Sequence, residues 1–201
     1  MKAVNPPDGG APMLVVRGLS VYYGDAQALD RVSLSVRTGE IVALIGANGA
    51  GKTSLIRTIA GILKPREGEI EIEGRPIAGL DSHRVCDLGV GQVAEGRQVF
   101  PSMSVLDNLR IAHFSQMDYG TLDTFFRTSR QQAAERSVTA KALDLLASFR
   151  LEQHCRDLPR NLPYGVQRRV EICRALVMQP RLLLLDEPAA GMNQGEIGEL
   201  M

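Results

Sequence analysis

The sequence lacks several features that would assign it to a specialised class of protein. Its 23 basic and 23 acidic residues cancel, so the overall charge indicates neither a nucleic-acid partner nor a membrane surface. No apolar run approaches the roughly 18 residues that a membrane span needs, and residues 1–12 have no apolar signal-peptide core. We therefore expect any membrane association to depend on a partner, and residues 1–12 to form a disordered leader before a domain of residues 13–201.

Cysteine and histidine are also scarce, with three residues of each. The cysteines are widely spaced and form no Cys-x-x-Cys pair, which argues against a zinc or disulfide site. They are typical of reduced, mostly buried thiols in a cytoplasmic protein. The histidines do not cluster with each other or with the cysteines, so we expect them to have packing or surface roles.

A glycine-rich run provides the strongest functional signal in the chain. It reads Gly46-Ala47-Asn48-Gly49-Ala50-Gly51-Lys52-Thr53 and precedes a helical pattern that begins near Ser54. In a P-loop the glycines let backbone N–H groups point at phosphates, the lysine reaches the β and γ oxygens, and the hydroxyl residue holds Mg²⁺. The apolar residues 41–45 before the loop predict a central strand that is covered on both faces. The run therefore predicts a nucleoside triphosphate site in a strand-loop-helix context.

Alternating apolar and polar residues predict strands at residues 14–17, 19–23, 32–36 and 69–74. Helical spacing of apolar residues after the P-loop predicts a helix that continues until Pro65. We therefore expect strands on both sides of the P-loop helix.

The character of the chain becomes helical at about residues 100–165. A capping box is predicted at Ser104, and a helical face later in the segment carries apolar residues. Residues 116–137 fit either a loop or a poorly patterned helix. A further helix is expected to end before Pro180. The two predicted apolar faces consist of Ala142, Leu143, Leu145, Leu146 and Phe149, and of Val170, Cys173 and Val177.

Four leucines at residues 182–185 precede Asp186 and Glu187. This pattern predicts a buried parallel strand whose acids lie at the phosphate edge of the sheet. Asp186 can then hold Mg²⁺, and Glu187 can orient or deprotonate the attacking water.

These two motifs, with residues 162–169 between them, resemble the ATP-binding subunit of an ABC transporter. The likeness runs from about residue 14 to the end of the chain. The subfamily similarity is to the ATPases of branched-chain amino acid importers. It is carried by Asn161-Leu162-Pro163-Tyr164-Gly165, by Arg169-Val170-Glu171-Ile172-Cys173-Arg174-Ala175-Leu176 and by Asp186-Glu187-Pro188-Ala189-Ala190-Gly191-Met192-Asn193.

The resemblance implies an α/β P-loop NTPase fold of the ABC ATPase type. It would have a RecA-like parallel-sheet core, an N-terminal antiparallel β-subdomain and an inserted helical subdomain at about residues 100–165. It implies ATP and Mg²⁺ as cofactors, and ATP hydrolysis in a head-to-tail homo- or heterodimer with a second ABC ATPase subunit. The further partners would be integral membrane permeases and, indirectly, a periplasmic substrate-binding protein, but no nucleic acid. The location would be peripheral, on the cytoplasmic face of the inner (plasma) membrane.

The resemblance also assigns individual residues. Tyr23 matches the adenine-stacking aromatic, although the neighbouring Tyr22 competes with it, and Glu187 matches the catalytic base. The nucleotide-contacting set would consist of Tyr23, the P-loop residues Gly46, Ala47, Asn48, Gly49, Ala50, Gly51, Lys52, Thr53 and Ser54, and the partner-facing residues Leu162, Gly165 and Gln167. The Mg²⁺ ligands would be Thr53, Glu95 and Asp186.

The chain departs from the family pattern at two places. In the signature Leu-Ser-Gly-Gly-Gln, which falls on residues 162–166, only Leu162 and Gly165 remain. Pro163 removes a hydroxyl and an N–H group, although the following helix still presents its N-terminus. Glu95 stands where the family has a glutamine, and either Gln92 or Gln98 could substitute for it; an ionised carboxylate there can ligate Mg²⁺ but also repels phosphates.

The family's switch histidine would lie beyond the last residue, because the sequence stops 14 residues after Glu187. We therefore expect the C-terminal part of the fold to be missing, and ATP to be bound poorly or hydrolysed slowly by the chain as it stands. A non-hydrolysing nucleotide-binding fragment and an ABC-type ATPase without a transporter remain alternatives. The transported substrate is also open, since importers of amides or urea have similar ATPases.

Overall fold

The computed structural model describes residues 12–96, 98–113 and 129–188. The chain divides after Val90 into two units. The first unit contains a four-stranded antiparallel sheet in the order β2-β1-β3-β4. Its strands are β1 (Pro12–Tyr23), β2 (Ala26–Arg37), β3 (Glu67–Ile72) and β4 (Arg75–Pro76), and its helices are α1 (Lys52–Ile59) and α2 (Ser82–Asp87).

Strand β1 joins the two predicted runs of alternating residues into one strand with a bulge at Gly18. The buried side chains before the bulge are Leu14 and Val16, and those after it are Leu19 and Val21. The register against β2 shifts between Val16 and Leu19, and Gly18 has a φ of +56°. A bulge inserts one extra residue, so both halves of β1 direct their apolar side chains to the same core.

The prediction of a buried central strand at residues 41–45 is wrong for this structure. The segment forms only a single bridge, at Ile45, and the side chains of Ile41 and Ile45 are 96% and 70% exposed. A parallel strand forms when neighbours pair with its edges and cover its faces. Among the described residues, no ladder of strand pairing includes this segment, so its apolar pattern is not sufficient to make it a strand.

Helix α1 is shorter than its apolar pattern predicts. Gly61 donates its N–H to Thr58 O at 3.1 Å, and Ile62 donates to Arg57 O at 2.9 Å. These two bonds are the hydrogen-bond pattern of a Schellman motif, which ends a helix. The helix therefore ends at Ile59 and not near Pro65, and Ile62 is exposed.

The second unit combines a two-stranded sheet with a helical core. Strands β5 (Val90–Val93) and β6 (Leu182–Leu185) are neighbours. A Cβ on Gly91 would lie 3.1 Å from the Pro180 side chain, whereas Val93 O accepts the Asp186 N–H at 2.9 Å; the strands therefore run in the same direction. The helices are α3 (Val105–His113), α4 (Ser129–Ser148) and α5 (Tyr164–Leu176), with short 3₁₀ turns at Glu152–His154 and Pro159–Asn161.

The helical core confirms most of the predicted apolar faces. Leu143 is the exception, because it is 40% exposed. The predicted helix cap at Ser104 is confirmed, because Ser104 Oγ accepts the Asp107 N–H at 3.1 Å. The Asp107 carboxylate accepts the Ser104 hydroxyl at 2.6 Å, whereas in a full capping box it would accept the Ser104 N–H. The buried cluster consists of Val105, Leu109, Ala142, Leu146, Leu151, Val170, Cys173 and Val177.

Two further predictions concern the helical region and the thiols. Residues 129–137 are helical, while residues 114–128 lie outside the described part of the chain, as do residues 1–11 of the predicted leader. All three cysteines are free thiols; Cys173 is buried and Cys155 is half-buried, but Cys86 is exposed, contrary to the expectation of mostly buried thiols. In the residues that the model describes, no helix combines the length and the apolarity needed to cross a bilayer.

Candidate nucleotide-binding site

The loop of residues 46–53 has the backbone shape that its glycines predict. Gly49 and Gly51 adopt φ values of +82° and +87°, which favour residues without a Cβ. Ala50 donates its N–H to Ala47 O at 3.1 Å and closes a turn within the loop. Residues 46–50 are exposed, so the concave backbone of the loop is accessible to a ligand.

Gly51 has a second reason to be glycine. A Cβ at this position would lie 2.5 Å from the Leu29 side chain and 2.7 Å from Ala28 O, both on β2. Gly51 is also the residue that precedes α1. The close approach of the loop to β2 therefore fixes where α1 begins.

Lys52 lies over the loop. Its Nζ donates to Gly46 O at 2.8 Å and to Ala47 O at 3.0 Å. An ammonium held by two carbonyl oxygens of the loop places its positive charge on the exposed surface of the loop backbone. Such a surface suits the phosphate oxygens of a nucleotide.

The N-terminus of α1 is adapted to an anion as well. No acidic residue lies in its first turn, and no side chain caps it, so its first N–H groups and the positive end of its dipole face the loop. Thr53 is half-buried in this turn, while Ser54 is buried. The structure therefore brings the whole predicted phosphate-binding run, from Gly46 to Ser54, to one helix end.

Tyr23 lies beside the same helix end. Its hydroxyl is 3.3 Å from Ser54 Oγ, and its side chain is 47% exposed. Tyr22 packs differently, because the Arg66 guanidinium lies 4.0 Å from the centroid of its ring. Of the two adjacent rings, Tyr23 is the one that offers an open face next to the phosphate loop.

The predicted acids follow β6 in the second unit. Asp186 is buried and Glu187 is exposed. Glu187 has a φ of +47°, which few residues other than glycine adopt. The exposed carboxylate is thus carried on an unusual turn, at residues 186–188.

A buried charged pair, not singled out by sequence reasoning, holds this turn. Arg168 Nη2 donates to Asp186 O at 2.6 Å and to Glu187 O at 3.3 Å, and its Nε donates to Pro188 O at 3.4 Å. Arg168 Nη1 pairs with Glu171 Oε2 at 2.7 Å. The sequence does contain a signal for this pair. Arg168 and Glu171 carry opposite charges three residues apart among apolar helix positions, so they lie on one face of the helix.

The segment that contains Glu95 is attached to the same pair. Arg168 Nη1 also donates to Ala94 O at 2.9 Å, and Glu171 Oε1 accepts the Gln98 N–H at 2.6 Å. Glu95 itself is exposed. Of the two glutamines that could substitute for Glu95, Gln92 is half-buried and Gln98 is exposed. Gln92 Nε2 is a buried atom without a hydrogen-bond partner in the described part of the chain. The segment therefore presents Glu95 to solvent while its backbone is tied to α5.

The signature-like segment leads into α5 through Pro163. Pro163 is the residue before the first turn, and its carbonyl accepts the Gln167 N–H at 3.0 Å. Gly165 and Gln167 are buried, and Gln167 Nε2 donates to Leu162 O at 2.7 Å. The Gln167 side chain thus supports the loop from inside, while Leu162 is only partly buried.

The donors present fit ATP with Mg²⁺ without a dedicated protein cage. Within the described residues, no group of three or more His, Cys, Asp or Glu side chains could enclose a metal ion. Mg²⁺ in nucleotide sites is held by one or two protein oxygens together with phosphates and water, and Thr53 and Asp186 are oxygen donors of this kind. The structure collects Tyr23 and residues 46–54 in the first unit, and Glu95, residues 162–167 and both acids in the second.

Comparisons with known proteins identify the family of the chain. Residues 29–190 match the ABC transporter family model. The chain is 38% identical to the high-affinity branched-chain amino acid transport ATP-binding protein LivG of Salmonella typhimurium and 34% identical to BraF of Pseudomonas aeruginosa, covering 94% of this chain and 74% of each relative. The solved ADP conformation of an ATP-binding cassette of an ABC transporter shares 28% identity and a TM-score of 0.78, over 94% of this chain and 74% of that one.

The family and the fold predicted from the motifs are therefore confirmed. The α/β fold of the described residues, with one antiparallel and one parallel sheet, is similar to that of a solved ATP-binding cassette. The chain belongs to the ABC transporter family, as an ATP-binding cassette of the kind that couples ATP hydrolysis to transport.

Proposed function

We propose that this chain is the ATP-binding and hydrolysing subunit of an ABC importer for branched-chain amino acids. The observation that carries the proposal is the phosphate loop of residues 46–53, with Lys52 Nζ over the loop carbonyls and Gly51 pressed against β2. The similarity to LivG and BraF, whose names specify branched-chain amino acid transport, supports the substrate class.

Each residue near α1 then has a role in nucleotide binding. The loop N–H groups and Lys52 bind the phosphates, and the open face of Tyr23 stacks on the base. The Thr53 hydroxyl, Asp186 and Glu95 are the proposed oxygen donors to Mg²⁺. When bound, the cation neutralises charge on the phosphate oxygens.

Glu187 is the proposed base. Glu187 is exposed, on a turn whose three carbonyl oxygens accept hydrogen bonds from the Arg168 side chain, so it can accept a proton from an attacking water without first moving its backbone. Because hydrolysis needs a positioned water, the rigidity of this turn is part of the proposed chemistry.

The chain would act together with several partner subunits. Leu162 and the N-terminus of α5 would contact the nucleotide of a second ABC ATPase subunit in a head-to-tail dimer, whereas Gly165 and Gln167, which are buried, would support this helix start from inside. Permease subunits would hold the dimer at the cytoplasmic face of the membrane, and a periplasmic binding protein would deliver the substrate to them.

ATP turnover in the Glu187→Gln variant tests the enzymatic part. Glutamine keeps the shape of the side chain but cannot take a proton, so we expect the release of phosphate to fall by at least about 100-fold, while the dissociation constant for ATP changes less than about threefold. Glu152→Gln, at an exposed position outside both motifs, is the matched control. Retained turnover in Glu187→Gln would remove Glu187 as the base, and a wild-type chain that binds ATP without hydrolysing it would favour the non-hydrolysing alternative.

Uptake by cells tests the substrate. Lys52→Ala is introduced at the chromosomal locus of the source organism, with Lys141→Ala, at an exposed position of α4, as control. We expect the uptake of radiolabelled leucine to be lost only in Lys52→Ala. Unchanged leucine uptake together with loss of urea or amide uptake would contradict the branched-chain substrate class.

A further inference from the structure

Arg168 is the charged side chain around which the acidic turn is built. It is 2% exposed, and its donors reach the carbonyl oxygens of Ala94 and of three consecutive residues, Asp186, Glu187 and Pro188. A buried guanidinium is costly unless every donor finds an acceptor. The pairing of these donors with one turn therefore makes the position of the turn depend on Arg168.

Glu171 completes the arrangement. One carboxylate oxygen is paired with Arg168, and the other accepts the backbone N–H of Gln98. Arg174, one helical turn further along α5, donates to Gln98 O and lies over the Phe100 ring. Helix α5 thus holds Ala94, Gln98 and the acidic turn through its charged side chains.

The conformation of Glu187 explains why such a restraint is needed. Its left-handed φ is disfavoured for a residue with a Cβ, and such conformations persist only where the surroundings impose them. Arg168 binds the carbonyl groups on both sides of this residue as well as its own.

We infer that Arg168, braced by Glu171, is a positioning residue for ATP hydrolysis: it sets the place of the Glu187 carboxylate and couples it to the Glu95 segment. This inference rests on the proposed function. It gives α5, the helix that follows the signature segment, a role in hydrolysis, because a shift of α5 would move the Glu187 carboxylate through the Arg168 guanidinium.

The geometry also separates arginine from lysine at this position. A guanidinium spreads five N–H donors over three nitrogens, whereas an ammonium places three donors on one atom. A lysine could keep the ion pair with Glu171 but could not at once reach Ala94 O and the carbonyls of residues 186–188. Arg168→Lys therefore preserves the charge while it loosens the turn.

The experiment compares Arg168→Lys with Arg169→Lys in the assembled complex of the full subunit. Arg169 is the next residue on α5 and donates to Phe149 O instead. For Arg168→Lys we expect kcat for ATP hydrolysis to fall at least tenfold, with the KM for ATP and the melting temperature close to wild type. Arg169→Lys should match wild type in kcat. In the pH profile of kcat, the limb that reports the general base should also be shifted along the pH axis in Arg168→Lys relative to wild type.

A second measurement does not depend on turnover. Amide hydrogen exchange of residues 185–187 should accelerate at least tenfold in Arg168→Lys and stay unchanged in Arg169→Lys, and Glu171→Gln should show the same acceleration at Gln98. An unchanged exchange rate, or a kcat within twofold of wild type, would overturn the inference. A wild-type complex that lacks turnover but shows the exchange difference would instead contradict the proposed function.

Discussion

The phosphate loop and the acidic turn are two short segments of the same enzyme, yet they are fixed in opposite ways. Residues 46–53 are shaped by glycine torsions, by one internal turn and by close contact with β2. Residues 186–188 carry an unfavourable torsion on a glutamate and are held by a buried arginine 18 to 20 positions earlier in the chain. The first segment is specified locally, and the second depends on a distant side chain.

The difference shows where each segment can be damaged. A loop shaped by its own glycines loses its geometry when one of them gains a Cβ. A turn held by a buried ion pair loses its geometry through a change elsewhere, because removing one partner leaves the other charge uncompensated. Four predictions test this contrast.

The largest effect on ATP binding is expected for Lys52→Ala, which removes the charged donor of the loop and leaves the shape of the loop intact. Loss of a charged donor to phosphate should weaken ATP binding by about 100-fold, corresponding to ~2.7 kcal/mol. The free energy of unfolding should stay within about 0.5 kcal/mol of wild type, because Lys52 bonds only to exposed loop carbonyls. Titration with a fluorescent ATP analogue measures the affinity and urea unfolding measures the stability, with Lys141→Ala as control. Equal losses of binding free energy and of unfolding free energy would show that Lys52 stabilises the fold rather than binding phosphate.

Gly51→Ala breaks the shape of the loop itself. The new Cβ would lie 2.7 Å from Ala28 O, a backbone atom that cannot yield locally, and 2.5 Å from the tip of the Leu29 side chain. Gly74→Ala is the matched control, since its φ of +74° is similar and nothing lies within 4 Å of a Cβ there. Urea unfolding should show a loss of at least about 3 kcal/mol for Gly51→Ala and about 1 kcal/mol for Gly74→Ala. Similar losses would show that torsion alone, without the contact with β2, specifies the loop.

Tyr23→Ala tests whether the nucleotide site extends beyond the loop. Losing the ring should raise the dissociation constant for ATP about tenfold, or ~1.4 kcal/mol. Tyr23→Phe, which keeps the ring and loses only the contact with Ser54, should bind within about twofold of wild type. If Tyr22→Ala rather than Tyr23→Ala produces the tenfold loss, the assignment of the aromatic residue is wrong.

The smallest effect concerns Cys173, which lies on α5 with Arg168. Burial raises the pKa of the Cys173 thiol from 9.0 to about 12. The folded state therefore keeps this proton more tightly than the unfolded state, so the stability from this group is complete below pH 9 and is lost as the pH rises from about 9 to about 12. Between pH 8 and pH 10 the free energy of unfolding should fall by about 1 kcal/mol more for wild type than for Cys173→Ala. An equal fall in both proteins would contradict a raised pKa of the Cys173 thiol.

Local patterns in the sequence predicted the features that local interactions determine. Ser104 could be identified as a cap because an acidic residue follows it three positions later. The phosphate loop could be identified because glycines stand where its backbone adopts positive φ values. The face of Val170 and Cys173 followed from helical periodicity and is confirmed. In each of these cases the cause lies within about one helical turn of the residue.

The features that were missed depend on distant partners. The strand at residues 41–45 was inferred from apolar content, but strands need pairing that composition does not reveal, and Ile41 remains exposed. The end of α1 is an exception with a local cause, because the hydrogen bonds at Gly61 and Ile62 end the helix before the apolar pattern stops. Arg168 and Glu171 are ordinary helix residues in the sequence, because their hydrogen-bond partners, the Ala94 carbonyl and the Gln98 N–H, lie up to 74 positions away.

Asn108 has a consequence for how hydrogen exchange is interpreted in this protein. Its fully buried amide accepts the Phe100 N–H at 2.7 Å and donates to the carbonyl oxygens of Phe100, Met103 and Ser104. Exchange at the Phe100 amide therefore requires the loop to leave α3, although the Phe100 side chain is 43% exposed. Solvent contact of a side chain and protection of its own amide are separate quantities here, and a slowly exchanging proton can lie directly beneath an accessible ring.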